Sequence, residues 1–158
     1  MFRELVRKKK EISREECLEL LRNERRGVLS VIGDMGYPYG TPMNHFYNDE
    51  DGNIYFHCGK QGHRLDSIKA CDKVSFCVYD EGTKTDGEWA LTIRSVIVFG
   101  TMEVIDDADV ITDISARLSR KFTDDEAYIK NEIECFACET LILRLKTGHM
   151  CGKRIVEK

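Results

Sequence analysis

Both prolines of this 158-residue chain fall inside one strand-like run, Tyr37 to Asn48. Proline has no backbone N–H to give to a ladder, so Pro38 and Pro42 keep part of that run from pairing on both sides. The fold must therefore offer this strand a free edge. Around it the chain reads as strands in hairpin succession. Val28 to Ile32 is short and almost wholly apolar, and Gly33-Asp34-Met35-Gly36 turns into the proline-bearing strand. Asp49-Glu50-Asp51-Gly52 then turns into Asn53 to Cys58. Val74 to Tyr79 and a long run from Trp89 to Ile105 follow, with a break expected at Arg94-Ser95 or Gly100. In Thr140 to Lys146, Leu141, Leu143 and Leu145 alternate with Ile142, Arg144 and Lys146, which gives a strand with one buried face. The segment from Gly148 to Lys158 reads as a polar, glycine-bearing tail, and Asp80 to Glu88 as an exposed loop.

Helices are few and set apart. Ser13 and Glu16 form a capping box for a helix from Arg14 to Asn23, with Gly27 as its stop. A second helix is expected over His63 to Cys71. Val110, Ile111, Ile114 and Leu118 recur at helical spacing within Asp107 to Phe122, and Thr123 with Glu126 opens a short helix after it. Such a pattern argues for one mainly β domain, an antiparallel sheet or barrel with helices packed outside.

Composition narrows the function classes. A net charge of -4, with basic residues scattered among acids, gives no basic face for nucleic acid. The longest apolar run, Val96 to Phe99, is too short to span a membrane, and no signal peptide is visible. Seven cysteines without an export signal read as reduced thiols of a cytoplasmic protein. Cys135 and Cys138 form a single Cys-x-x-Cys pair. A zinc site needs a second pair, so buried structural thiols are the expectation, with a thiol or metal centre as the alternative.

The stretch Ile54 to Arg64 carries the chemistry. A strand runs into a loop framed by Gly59 and Gly62, and a helix follows. Lys60, His63 and Arg64 surround the loop, and the N–H groups of a helix start add positive potential. A phosphate site and a solvated turn with ordinary surface charges are the two readings of these residues alone. His45 is a candidate proton donor or a structural strand histidine. Trp89 reads as a core residue, with a cover over the ligand cleft as the alternative.

Several motifs, in order, carry a resemblance. They are Gly36-Tyr-Pro-Tyr-Gly-Thr-Pro-Met-Asn44, Tyr55-Phe-His-Cys-Gly-Lys-Gln-Gly-His-Arg-Leu-Asp66, Arg94-Ser-Val-Ile-Val-Phe-Gly100 and Gly152-Lys-Arg154. The chain resembles the pyridoxamine 5′-phosphate oxidase-like family of FMN-binding split barrels, and within it the nitroimidazole-resistance-type flavoproteins. The resemblance implies a six-stranded antiparallel split barrel and a homodimer with FMN clefts at the subunit interface. It places Thr41, Pro42, Met43 and Asn44 along the flavin ring and His57 near the ribityl-phosphate end. Lys60, His63 and Arg64 would hold the phosphate, Ser95 would reach the flavin, and His149 and Lys153 would close the cleft. Where the oxidases carry a basic residue, this chain has Phe46, and their paired phosphate cations appear as His63-Arg64. The chain has no match to the C-terminal segment with which the oxidases hold their substrate. The implied activity is flavin-dependent reduction of a small electron-poor molecule, with a nitro compound in view. A non-enzymatic flavin- or haem-binding protein is the alternative, with His45, His57 and His149 as candidate axial ligands. FMN is expected over FAD because no Gly-x-Gly-x-x-Gly run follows a strand to receive a pyrophosphate.

Overall fold

The computed structural model describes residues 2–84 and 86–157. Eight strands form one antiparallel sheet: β1 (Arg26–Ile32), β2 (Pro38–Asn44), β3 (Phe46–Asn48), β4 (Asn53–Gly59), β5 (Lys73–Tyr79), β6 (Thr83–Lys84), β7 (Leu91–Ile105) and β8 (Thr140–Val156). Their order is β2-β1-β5-β7-β8-β4-β3, with β6 hanging from β7. The two ends of that order, β2 and β3, are separated in the chain by His45 alone. One continuous run thus passes from one edge of the sheet to the other, and the sheet curls into a barrel. The expected six strands are recovered when β2 and β3 count as the two halves of the proline-bearing run and the two-residue β6 is set aside. This is a split barrel with helices outside.

His45 makes the corner. It is fully buried, its Nε2–H donates to the Leu21 carbonyl at 2.9 Å, and the edge of its ring meets Phe76. Burial pushes its pKa down to about 3, so the ring is neutral. This is the structural histidine of the two readings. The interior is filled by Leu29, Val31, Phe56, Phe76, Val96, Val98, Leu143 and Leu145 around Leu20 and Leu21 of the first helix.

That helix, α1 (Arg14–Asn23), has the predicted bounds and the predicted capping box. Gly27 does not stop it. The residue lies inside β1, where a Cβ would come within 2.5 Å of the Phe76 ring. Helix α2 (His63–Ala70) follows β4, and α3 (Ala108–Ser119) and α4 (Glu126–Phe136) fill the connection from β7 to β8. Asp107 and Asp125 cap α3 and α4, so the second cap is Asp125 and not Thr123. Ile111 and Ile114 of α3 cover Tyr55 and Ile142, which buries the second face of β8 at that end as well.

The largest departure from the sequence reading is the tail. The segment from Gly148 to Val156 is strand, paired with β7 as far as Thr92↔Val156 and bulged at Phe99/Gly100. Gly152 belongs there for packing, since Cys17 Sγ would sit 2.4 Å from an added Cβ. Trp89 is 72% exposed, not core, because β7 starts two residues later and leaves it on the connecting loop. Cys135 and Cys138 are exposed, not buried, because α4 buries only Ile129 and the 3₁₀ turn Ala137–Glu139 that holds Cys138 buries no residue. Among the described residues no helix is long and apolar enough to cross a membrane.

Candidate functional site

The barrel splits between β2 and β4. β2 pairs only with β1, as its prolines require. On the other wall, β3 pairs with β4 only from Asn53 to Tyr55, so from Phe56 to Gly59 β4 has its partner in β8 alone. Two strand edges with free backbone groups therefore face one opening. A cleft of about 380 Å³ lies there, lined by Pro42, Met43 and Asn44 from β2, by His57, Cys58 and Gly59 from β4, and by Arg64 from α2.

Arg64 distinguishes this cleft from the rest of the surface. Its Nε is buried and has no hydrogen-bond partner. A buried donor left unsatisfied costs about 1–3 kcal/mol. Among the described residues Arg64 forms no ion pair, whereas Arg22, Arg94, Arg117, Arg120, Arg144 and Arg154 each meet a carboxylate. Thr41 Oγ1, beside the cleft on β2, is likewise buried without a partner. Gly62 has φ 127°, a region that favours glycine, and α2 begins after it without a side-chain cap. Open N–H groups at the start of α2 and a guanidinium next to them that meets no carboxylate suit an anion.

His57 faces solvent from β4. Packing around it first, and the Arg64 guanidinium second, hold its pKa below that of a free imidazole. The same ring also lines a second hollow of about 250 Å³ against Ser115, Ser119 and Phe136. Cys58 points inward beside Arg64, and burial pushes its thiol up despite that cation.

The chain brings together Pro42, Met43, Asn44, His57 and Arg64, with Thr41 adjoining. It does not bring the other candidates into the cleft. Lys60 Nζ reaches Asp106 at 3.3 Å. His63 stacks on Tyr39 and its Nε2 accepts the Asp34 backbone N–H at 3.3 Å. Ser95 stands between Tyr79 and Lys153 on the outward face of β7, and on the same side His149 stacks on Phe2, which also meets Phe99. Cys58 lines the cleft and was not singled out as a ligand residue by sequence, whereas Gly59, also in the lining, was read as a glycine of the ligand loop. The strand alternation that turns Cys58 inward was visible, but the free edge of β4 was not.

Three comparisons bear on this geometry. The profile of the family described as Pyridoxamine 5′-phosphate oxidase matches residues 13–154. No curated protein matches the chain. Among solved structures, a candidate 5-nitroimidazole antibiotic resistance protein from Bacteroides thetaiotaomicron superimposes with a TM-score of 0.77 at 16% identity, over 93% of this chain and 87% of that one. A protein from Mycobacterium smegmatis named for binding FAD and haem does so with a TM-score of 0.71 at 21% identity, over 91% and 72%. At such identities the superpositions speak for the fold, and the profile match, which runs from the cap of α1 into the last strand, speaks for descent. The chain belongs to the pyridoxamine 5′-phosphate oxidase family.

Proposed function

We propose that the cleft between β2 and β4 holds FMN by its phosphate and that the protein is an FMN-dependent oxidoreductase acting on a small electron-poor molecule, with nitroimidazole-type nitro compounds as the leading class. The observation that carries this reading is the buried, unpartnered Nε of Arg64. A phosphate oxygen satisfies it and neutralises the cation in one contact. Thr41 Oγ1, the free edge of β2 and the open N–H groups of α2 supply further hydrogen bonds. Lys60 adds to them, because its exposed pair with Asp106 is worth at most about 1 kcal/mol and yields to a phosphate. When bound, the flavin supplies hydride or electron transfer, and the protein's part is position and polarity. Solved relatives of the same fold are named for FAD or for F420 chemistry, which supports a flavin-type ligand without choosing among them.

A second copy completes the site in this reading. The outward face of β1, β5 and β7 exposes Ile32 (48%) and Tyr79 (60%) beside half-buried Val28, Cys77, Ile97 and Phe99. A cavity of about 480 Å³ opens on that side between Phe2, Ile32, Pro38 and Phe99. Ser95, His149 and Lys153 lie on the same side, so a C₂ partner would carry them to the neighbouring cleft. The haem-binding alternative rests on His57, a neutral imidazole in the cleft, since His45 is committed to Leu21 in the core.

Chromatography of the ligand released on denaturation tests the cofactor, and FMN is expected. Reoxidation of the chemically reduced, FMN-loaded protein by a nitroimidazole tests the activity. Release of FAD or haem, or no flavin binding after reconstitution, overturns the first claim, and no reoxidation overturns the second.

A further inference from the structure

The geometry points to a two-thiol clamp at the end of α4, formed by Cys135 and Cys138, that takes a soft centre bridged between the two sulfurs, the chemistry of trivalent organoarsenicals. Of the seven cysteines these two are exposed, while Cys17 and Cys58 are buried and Cys71, Cys77 and Cys151 are partly covered. They sit three residues apart where α4 passes into the 3₁₀ turn Ala137–Glu139, so they share one side of the helix end. The turn is pinned: the Ala137 N–H donates to the Ile133 carbonyl, and Thr140 Oγ1–H donates to the Phe136 carbonyl at 2.8 Å.

Spacing decides what the pair can hold. Helical neighbours three apart have Cβ atoms about 5–6 Å from one another, a span that one atom bonded to both sulfurs bridges without drawing the Cβ atoms together as a disulfide must. No third ligand is at hand. Among the described residues no group of three or more His, Cys, Asp or Glu is placed to hold a metal ion. Zinc, which takes four ligands in a structural site, is thereby disfavoured. A thiophilic centre satisfied by two sulfurs remains. With a single buried residue in α4, Ile129, a bridge at its far end leaves the core untouched. Neither cysteine lines the cleft, so the clamp stands apart from the flavin reading.

With phenylarsine oxide as the probe, two S–H bonds break and two As–S bonds form. The oxygen on arsenic leaves as water with both thiol protons, and arsenic stays trivalent, so no oxidant is needed. Intact-mass measurement on the reduced protein with one equivalent of phenylarsine oxide tests the clamp. One adduct per chain, the arsenical less one water, is expected to survive excess glutathione and to be removed by 2,3-dimercaptopropanol. Cys135→Ser and Cys138→Ser should each abolish the glutathione-resistant adduct, and Cys71→Ser should leave it. A resistant adduct that persists in either single variant, or a wild-type adduct stripped by glutathione, overturns the inference.

Discussion

Arg64 and Arg94 stand on the same barrel, and their surroundings differ in kind. Arg94 on β7 is committed within the chain: its Nε–H donates to Asp80 at 2.9 Å, another N–H donates to Glu19 at 3.0 Å, and its backbone N–H also donates to Asp80. That network ties β7 and the β5–β6 connection to α1. Arg64 stands beside a split where two strand edges lack neighbours, and its Nε is buried with nothing to receive it. Unlike the six arginines that meet carboxylates, Arg64 carries a buried Nε left unsatisfied at a cost of about 1–3 kcal/mol, which the proposed phosphate contact would relieve. Substitutions should therefore separate the two regions: changes on the Arg94 side act through stability, and changes at the cleft act through binding.

The largest effect belongs to the shared core and calibrates that comparison. Phe76→Ala removes a fully buried ring that packs on both Phe56 and His45, and should lower stability by about 3–5 kcal/mol in a denaturant titration. Flavin affinity at partial denaturation should fall in step with the folded fraction. A next, smaller effect comes from His45. Its folded pKa of about 3 lies below the ordinary 6.5, so the unfolded chain takes up the proton first as pH falls. Stability from this group is fully present above about pH 6.5 and is lost on acidification toward 3, by about 2 kcal/mol at pH 5. Denaturant titrations between pH 7 and 5 check this, and a His45→Gln variant should flatten that slope. A wild-type profile that is flat over this range contradicts the buried neutral ring.

Arg94→Ala should cost about 1–2 kcal/mol of stability, because Asp80 loses a charged partner that is only partly exposed to solvent. FMN affinity measured under native conditions should not change. Arg64→Ala should move the unfolding midpoint least, within about 0.5 kcal/mol or slightly upward, because it deletes an unpaired buried donor and no native ion pair. If the two arginine variants lose equal stability, the contrast between the regions is wrong.

How much of this was legible beforehand depended on the range of the forces involved. The capping box gave α1 its bounds because Ser13 and Glu16 interact three residues apart. Pro38 and Pro42 announced a free edge because the missing N–H groups are covalent facts, and that edge became one wall of the cleft. The corner at His45 was not legible, since what fixes it is a hydrogen bond to Leu21 and a ring contact with Phe76, both far along the chain. Gly148 and Gly152 looked like loop residues, yet Gly152 is small so that Cys17 and Ile12 can pack against the strand. Lys60 was read as a phosphate ligand from its place beside Gly59, and the carboxylate it meets lies 46 residues on. Arg64 was picked out by its position at a loop-to-helix junction, but its lack of a partner is a property of the folded surface. Cys135 and Cys138 were expected inside on the habits of cysteine, and a helix with one buried residue leaves them in water.

The central claim is that Arg64 is kept for a ligand phosphate. Comparing FMN with riboflavin on the wild type and on Arg64→Ala, by fluorescence quenching of the flavin, tests it most directly. A charge-assisted contact of about 1.5–3 kcal/mol predicts a loss of about tenfold to a hundredfold in FMN affinity and almost none for riboflavin, which has no phosphate. Equal losses for both ligands, or no loss for either, would contradict it.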